Sequence, residues 1–264
     1  MRPTLPEVES LARQAGEILH ASFNQRPGYG HHLEVDYKSL IDPVTEVDRR
    51  SEAFLLGEIR SRYPDHRIMT EESGKIAGED CCIWYIDPLD GTVNFTHGVP
   101  IFCVSVAFAQ NNCVEIGVVY DPVRDECFSA ERGRGAWLNG KPISVSRAQD
   151  LDHSLLVTGF PYDIRTNPVN NLDNYARFAL RSQGVRRLGS AALDLCYVAA
   201  GRLDGYWETI LFAYDMAAGA LIAEEAGAVV TDLYGGANYL APPQSVLAAN
   251  AAIHSQMLAV LQEK

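Results

Sequence analysis

Two aspartates three residues apart, Asp87 and Asp90, close a hydrophobic run and flank a proline. The stretch reads Trp84-Tyr85-Ile86-Asp87-Pro88-Leu89-Asp90-Gly91-Thr92-Val93-Asn94-Phe95. These residue types describe a strand that ends at Asp87, with Pro88 stopping the ladder. The carboxylate oxygens of Asp87 and Asp90 suit hard divalent cations. A helix-like turn starting at Gly91-Thr92 offers free backbone N–H groups to a phosphate. One bend therefore brings a cation site and an anion site within bonding distance.

More acids fall at comparable places. Glu71-Glu72-Ser73 follows a strand-like run, Asp42-Pro43-Val44-Thr45-Glu46-Val47-Asp48 opens a helical pattern, and Asp215 precedes a helix rich in small residues. Taken singly, each has a plainer reading. Asp42 and Asp215 read as helix caps. Glu71 and Glu72 read as a solvated loop, Asp48 as a surface residue on an exposed helix face, and Thr92 as a turn residue. Taken together they say more. If Glu71, Asp87, Asp90 and Asp215 converge, each pair of bare carboxylates about 4 Å apart repels by on the order of 4 kcal/mol at an effective dielectric of about 20. Such a cluster demands cations or protons.

The elements that must position these groups follow from periodicity. Residues 5–23 place Leu5, Val8, Leu11, Ala15, Ile18 and Leu19 at helical spacing. A Gly-rich loop, Pro27-Gly28-Tyr29-Gly30-His31-His32, leads to a short strand around Leu33–Lys38. A second helix spans Val44–Tyr63, before Pro64. Strand-like runs follow at 67–70, 81–86, 102–109, 114–120 and 126–131. This half reads as two helices packed on an antiparallel sheet. Beyond it, strands at 155–160, 185–188, 205–208, 228–233 and 245–249 interleave with helices at 170–182, 191–201, 216–226 and 251–263. That alternation predicts a layered α/β half. The polar stretch 145–154 divides residues 1–150, which carry most candidate ligands, from residues 151–264, which carry Asp215. The two halves are expected to form one compact unit.

Composition narrows the function classes. With 264 residues and 47% hydrophobic content, the chain can bury a large core. No run of about 18 uncharged apolar residues marks a membrane span. The N-terminus lacks the pattern of a signal peptide, so a cytoplasmic location is expected. The formal net charge of −12 weighs against a general nucleic-acid binder. Bound metal would reverse the field locally for an anionic substrate. Six cysteines without C-x-x-C spacing read as buried, reduced thiols. The seven histidines are scattered and show no ligand spacing, and His97 is read as peripheral.

The motif Asp87-Pro-Leu-Asp-Gly-Thr-Val-Asn-Phe95 resembles the central motif of the inositol monophosphatase family, within the lithium-sensitive, metal-dependent phosphomonoesterases. Asp215-Met-Ala-Ala-Gly219 through Glu225-Ala-Gly227 resembles its C-terminal motif, and the Asp42–Asp48 and Glu71–Ser73 blocks match upstream ones. Six fixed residues at about 5% usage each arise by chance on the order of 10⁻⁸ per start position. The resemblance implies a five-layer α-β-α-β-α sandwich of the sugar-phosphatase type, two to three Mg²⁺ ions per site, lithium sensitivity and a homodimer. It further implies that Glu71, Asp87 and the Leu89 carbonyl hold one ion. Asp87, Asp90 and Asp215 hold a second, and a third, weaker ion touches Glu71. Thr92 and Asp48 would orient and deprotonate the attacking water, with Gly91 and Thr92 binding phosphate through their N–H groups.

On the substrate side, Glu208 matches a position that accepts hydrogen bonds from substrate hydroxyls. Gly189, Ser190 and Ala191 match a small-residue segment beside the substrate, and Lys38 matches a loop lysine near the metals. The implied reaction is hydrolysis of a small phosphorylated polyol, inositol 1-phosphate first. Fructose 1,6-bisphosphate, histidinol phosphate and 3′-phosphonucleotides stay open as substrates, as does a regulatory binding role on the same fold. Arg186-Arg187 near Gly189 keeps a second phosphate in play. Two departures from the family pattern, Tyr214 where Trp is frequent and Ala228 where Gly is frequent, leave the ligand positions intact.

Overall fold

Alternation of side chains across strands builds this molecule in layers. The computed structural model describes residues 2–25, 35–39 and 42–263. The Gly-rich loop at 27–32 and the start of the strand expected from Leu33 lie outside the described residues.

Helix α1 (Leu5–Asn24) opens the chain. Strands β1 (Val35–Ser39) and β2 (Asp42–Thr45) pair antiparallel and lead into α2 (Glu46–Arg62). Next come β3 (His66–Thr70), β4 (Gly74–Ile76), β5 (Glu79–Asp90), α3 (Thr92–His97), β6 (Cys103–Gln110), β7 (Cys113–Asp121), β8 (Glu126–Glu131), β9 (Gly135–Leu138) and β10 (Lys141–Pro142). The second half contains β11 (Leu155–Thr158), α4 (Leu172–Ala179), β12 (Gly184–Arg186), α5 (Ala191–Ala199), β13 (Gly205–Thr209), α6 (Ala213–Glu225), β14 (Val229–Thr231), β15 (Ser245–Ala249) and α7 (Ala251–Leu261).

Eight strands form one sheet in the order β10-β9-β8-β7-β6-β5-β3-β4, and five form another in the order β12-β11-β13-β15-β14. On the outer face of the large sheet, Leu11, Leu19, Leu55 and Ile59 of α1 and α2 bury against Trp84, Val106 and Phe108. Its inner face, with Ala107, Val119 and Phe128, packs on Leu195, Met216 and Leu221 of α5 and α6. Those two helices also cover Val157, Tyr206 and Val246 of the small sheet. Their strand neighbours Leu156, Trp207 and Leu247 face the other way, onto Phe178 of α4 and Ile253 and Met257 of α7. The layer order is therefore α-β-α-β-α, as the resemblance implied.

Several local expectations need correction. The first half is not a purely antiparallel sheet: β3 and β5 run parallel. After β3 the chain turns back along its outer edge as β4 and then crosses to the inner side. Second, β5 does not end at Asp87. Asp87 pairs with Ser105 and Asp90 with Cys103, so three steps on β5 oppose two on β6. Pro88 sits inside this bulge, where no ladder N–H is required of it. Third, Asp42 is not a helix cap; it belongs to β2, and Thr45 caps α2 by accepting from Val47 and Asp48. Strands β9 and β10 carried no sequence signal strong enough to predict. Cys81 is exposed, unlike the buried thiol expected there.

Candidate active site

The bulge at Pro88 makes the acidic pair usable. In a regular strand, residues three apart point to opposite faces. One inserted residue restores the phase, and Asp87 and Asp90 line the same cavity. That cavity, about 240 Å³, is also lined by Lys38, Glu71, Leu89, Gly91, Thr92, Gly189, Ser190, Ala191, Glu208 and Asp215. All the candidate site residues named from sequence line it except Asp48, which stands directly behind Thr92. His97 is exposed and does not line it.

Each acid is anchored through a named oxygen. Asp87 Oδ1 accepts from the Leu89 N–H at 3.0 Å. Asp90 Oδ2 accepts from Ser190 Oγ at 2.7 Å and from the Ala192 N–H at 2.8 Å. Asp215 sits in the first turn of α6, where its Oδ2 accepts from the Phe212 N–H at 2.7 Å, so it serves as a helix-start acceptor as well. Glu71 Oε1 accepts from Lys38 Nζ at 2.8 Å, and Glu72 Oε1 accepts from the same ammonium at 2.5 Å. Ser190 thus spends its hydroxyl on Asp90, and Ala192, one residue beyond the expected substrate segment, shares that task.

The electrostatics are those of an acid cluster. Burial, then the charges of Glu71, Asp90 and Asp215, push Asp87 well above the usual carboxylate range. Asp215 is raised the same way, first by burial and then by Glu71. Burial pushes Glu71 up to about 7 although Lys38 opposes it. Asp90 is raised by burial and held back by its bonds from Ser190 and Ala192. Among the described residues no three His, Cys, Asp or Glu side chains are closed into a metal-binding group. The donor set nevertheless fits Mg²⁺: it is all oxygen, four carboxylates line one cavity, and their raised affinity for protons marks an unmet need for positive charge.

Beside the acids stands a hydrogen-bonded pair. Thr92 Oγ1 lies 3.0 Å from Asp48 Oδ1 and 3.0 Å from the Leu89 carbonyl oxygen. Asp48 Oδ2 accepts from the N–H and hydroxyl of Thr45, which completes a capping box. Asp48 is fully buried rather than on an exposed helix face. Burial raises its pKa, and the bonds from Thr45 and Thr92 pull it back. Gly91 adopts φ +99°, and a Cβ there would meet the Ile101 carbonyl oxygen at 2.9 Å. Only glycine fits that start of α3, whose first N–H groups have no intrahelical acceptor.

The far wall comes from the second half. Glu208 on β13 accepts from Tyr206 Oη at 2.6 Å, and burial pushes it up to about 7. Gly159 makes room for it: a Cβ there would fall 2.1 Å from Glu208 Oε2. Ile210, a β-branched residue at φ +57°, turns the chain from β13 toward α6. Its N–H and that of Leu211 both donate to the Gln244 carbonyl, at 3.1 and 3.3 Å. Phe212 and Tyr214 stack at 5.2 Å on this rim.

Sequence reasoning missed Ser51, Glu52, Gly159 and Asp194. Ser51 Oγ donates to the Pro88 carbonyl at 2.9 Å and so pins the bulge. Glu52 is buried and accepts from Thr70 Oγ1, the Glu72 and Ser73 N–H groups and Ser73 Oγ, which fixes the turn carrying Glu71. Both lie three and four residues after Asp48, on its helix face, and that spacing was a readable signal. Asp194 is a lone acid in the apolar run Ala191–Ala199, an equally readable one.

The model of the inositol monophosphatase family matches residues 1–264. This chain belongs to the inositol monophosphatase family. Among curated proteins of the family, it is 44% identical to Nus factor SuhB of Pseudomonas aeruginosa over 269 residues, covering 99% of this chain and 97% of that protein. Nus factor SuhB of Escherichia coli K12 is 41% identical, with 100% and 97% covered. Among solved structures of the family, the Anabaena inositol monophosphatase superposes with a TM-score of 0.87 at 41% identity, covering 97% of this chain and 94% of that one. The Thermotoga maritima IMPase gives a TM-score of 0.85 at 36% identity, covering 97% and 96%.

Proposed function

We propose that this chain hydrolyses the phosphate monoester of a small polyol, inositol 1-phosphate first, with Mg²⁺ as cofactor. One observation carries the reading. Glu71, Asp87, Asp90 and Asp215, drawn from three separate parts of the sequence, line one cavity together with Thr92, which is hydrogen-bonded to buried Asp48. Glu71, Asp87, Asp90, Asp215 and the Leu89 carbonyl are the groups that would hold the ions. Bound Mg²⁺ supplies neutralisation of the phosphate oxygens, acidification of water and stabilisation of the leaving alkoxide.

The rest falls to the chain itself. The N–H groups at Gly91 and Thr92 bind phosphate at the start of α3. Thr92 Oγ1 accepts a proton from the attacking water and passes its own to Asp48, which burial makes a stronger base than an ordinary carboxylate. Asp90 is kept in place by Ser190 and Ala192, so its free oxygen is aimed without reorganisation. Glu208 accepts hydrogen bonds from hydroxyls of the leaving group. The family's lithium sensitivity, dimeric state and cytoplasmic setting are part of this reading.

A second reading has its own observation. The relatives named Nus factor SuhB match almost end to end, and that name denotes a factor rather than an enzyme. A role exercised through a macromolecular partner therefore stands beside hydrolysis. Initial rates on inositol 1-phosphate, fructose 1,6-bisphosphate, histidinol phosphate and a 3′-phosphonucleotide, with Asp90→Asn alongside, separate the two. Turnover of inositol 1-phosphate lost in Asp90→Asn supports hydrolysis. No turnover of any ester, with partner capture that survives Asp90→Asn, supports the factor role.

A further inference from the structure

A bulge at the start of β5 sets two thiols side by side. Against β3, Glu79 pairs with His66 and Ile83 with Arg67, so Asp80, Cys81 and Cys82 face no residue of that strand. Asp80 is exposed and forms an ion pair with Arg67. On the other flank Cys82 pairs with Gln110, and the Cys81 carbonyl accepts from the Asn111 N–H at 2.8 Å. In an unbroken strand neighbouring side chains point to opposite faces. Here the bulge brings Cys81 Sγ within 3.4 Å of Cys82 Sγ. Cys81 is exposed and Cys82 buried, so one thiol meets solvent and the second lies beneath it. Cys81 Sγ also donates to Glu79 Oε2 at 3.5 Å.

The pair's chemistry differs from that of the cavity at the far end of the same strand. The cavity offers oxygens to a hard cation, whereas two sulfurs suit a soft, thiophilic centre. Among the described residues no group of three His, Cys, Asp or Glu side chains could hold a metal ion, so an ion that needs three or four protein ligands is not served here. A centre that brings its own carbon substituent and takes two sulfurs is. We propose that Cys81 and Cys82 form a dithiol capture site for trivalent organoarsenicals of the class R–As=O. Two As–S bonds form, the As=O bond and two S–H bonds break, and the oxygen leaves as water with both protons. Arsenic stays trivalent, so no oxidant or reductant is consumed. The bonds at a pyramidal As(III) centre stand near right angles, which keeps its two sulfurs in contact, as Cys81 and Cys82 already are. Peroxide is the poorer partner. It reacts with thiolate, and the bond with Cys82, ahead of desolvation and the bond to Glu79, holds the Cys81 thiol above its ordinary pKa.

The test uses the full, freshly reduced chain with phenylarsine oxide as the probe, read by calorimetry and intact mass. The wild type is expected to take up one phenylarsenic group per chain with the loss of two hydrogens. A small dithiol should remove it, and a monothiol at the same thiol concentration should not. Cys81→Ser, at an exposed position that the fold tolerates, leaves a single sulfur and forfeits the second, intramolecular bond, so affinity falls about a hundredfold. Cys113→Ser, on β7, keeps wild-type affinity. The readout needs no ester turnover, so its outcome is independent of the phosphatase reading. Wild-type affinity in Cys81→Ser overturns the proposal. So does a loss of affinity in Cys113→Ser, a wild-type chain that takes up no arsenical, or an adduct that a monothiol strips as readily as a dithiol.

Discussion

Thr92 and Asp48, 44 residues apart in sequence, meet through a 3.0 Å hydrogen bond that ties the first turn of α3 to the first turn of α2. Two helix starts are thereby locked at a fixed angle around one proton. Asp48→Asn keeps the shape of that contact and removes its basicity. The expected outcome is a fall in kcat of about a hundredfold or more with little change in KM, read from Mg²⁺-dependent phosphate release. A variant with full kcat would remove Asp48 from the mechanism.

Metal dependence should be visible without any substrate. Mg²⁺ bound by the native chain and not by the unfolded one raises the melting temperature. Addition of Mg²⁺ to chelator-treated protein should raise it by several degrees, at about 2–4 °C per kcal/mol for a chain of this size. Asp90→Asn and Asp215→Asn should lose that rise and about a thousandfold in turnover while retaining the wild-type circular dichroism spectrum. A wild-type melting curve indifferent to both chelator and Mg²⁺ would contradict the ligand set.

Glu208 gives a pH dependence of definite sign. Its folded pKa, about 7, lies above the ordinary value of 4.5. Between those values the folded chain holds a proton that the unfolded chain has released. Stability from this group is therefore complete below about 4.5 and lost as pH rises through about 7, by on the order of 3 kcal/mol. Glu208→Gln removes the titration and keeps an acceptor for Tyr206. Urea unfolding at pH 5 and pH 8 should show the variant gaining on the wild type at pH 8. The opposite trend would mean that the carboxylate is stabilised by charge rather than penalised by burial.

Glu52 holds the turn from which Glu71 projects, by four donors. Glu52→Ala strands those groups in a largely buried setting, at a cost of about 3 kcal/mol. Urea titration should show that loss, and the Mg²⁺ concentration for half-maximal activity should rise about tenfold as Glu71 loses its orientation. Unaltered Mg²⁺ dependence in a destabilised variant would confine Glu52 to a structural role.

The helices, the strands and the four acids each left a local trace: period-2 and period-3.6 runs for the elements, and acids at element ends for the site; the five-layer order and the convergence of the acids came from the motif resemblance. What stayed hidden was set by partners far along the chain. Asp48 looked like a surface residue because α2 is polar at its start. Its burial is completed by Thr92, 44 residues further on, and only tertiary contact reveals that. Pro88 looked like the end of a strand because proline breaks a regular ladder, whereas a bulge removes the objection. Gly159 gave no signal at all, since the reason for its missing side chain is the carboxyl of Glu208, 49 residues later. The helix face shared by Asp48, Ser51 and Glu52 could have been read and was not.

Asp90 belongs to the large sheet, yet the groups that hold it, Ser190 and the Ala192 N–H, lie 100 and 102 residues further on, at the start of a helix wedged between both sheets. Closing so long a loop is entropically slow, and strands can zip well before it happens. Competence for chemistry should thus be the last property this chain acquires: during refolding, turnover will lag behind the return of the circular dichroism signal.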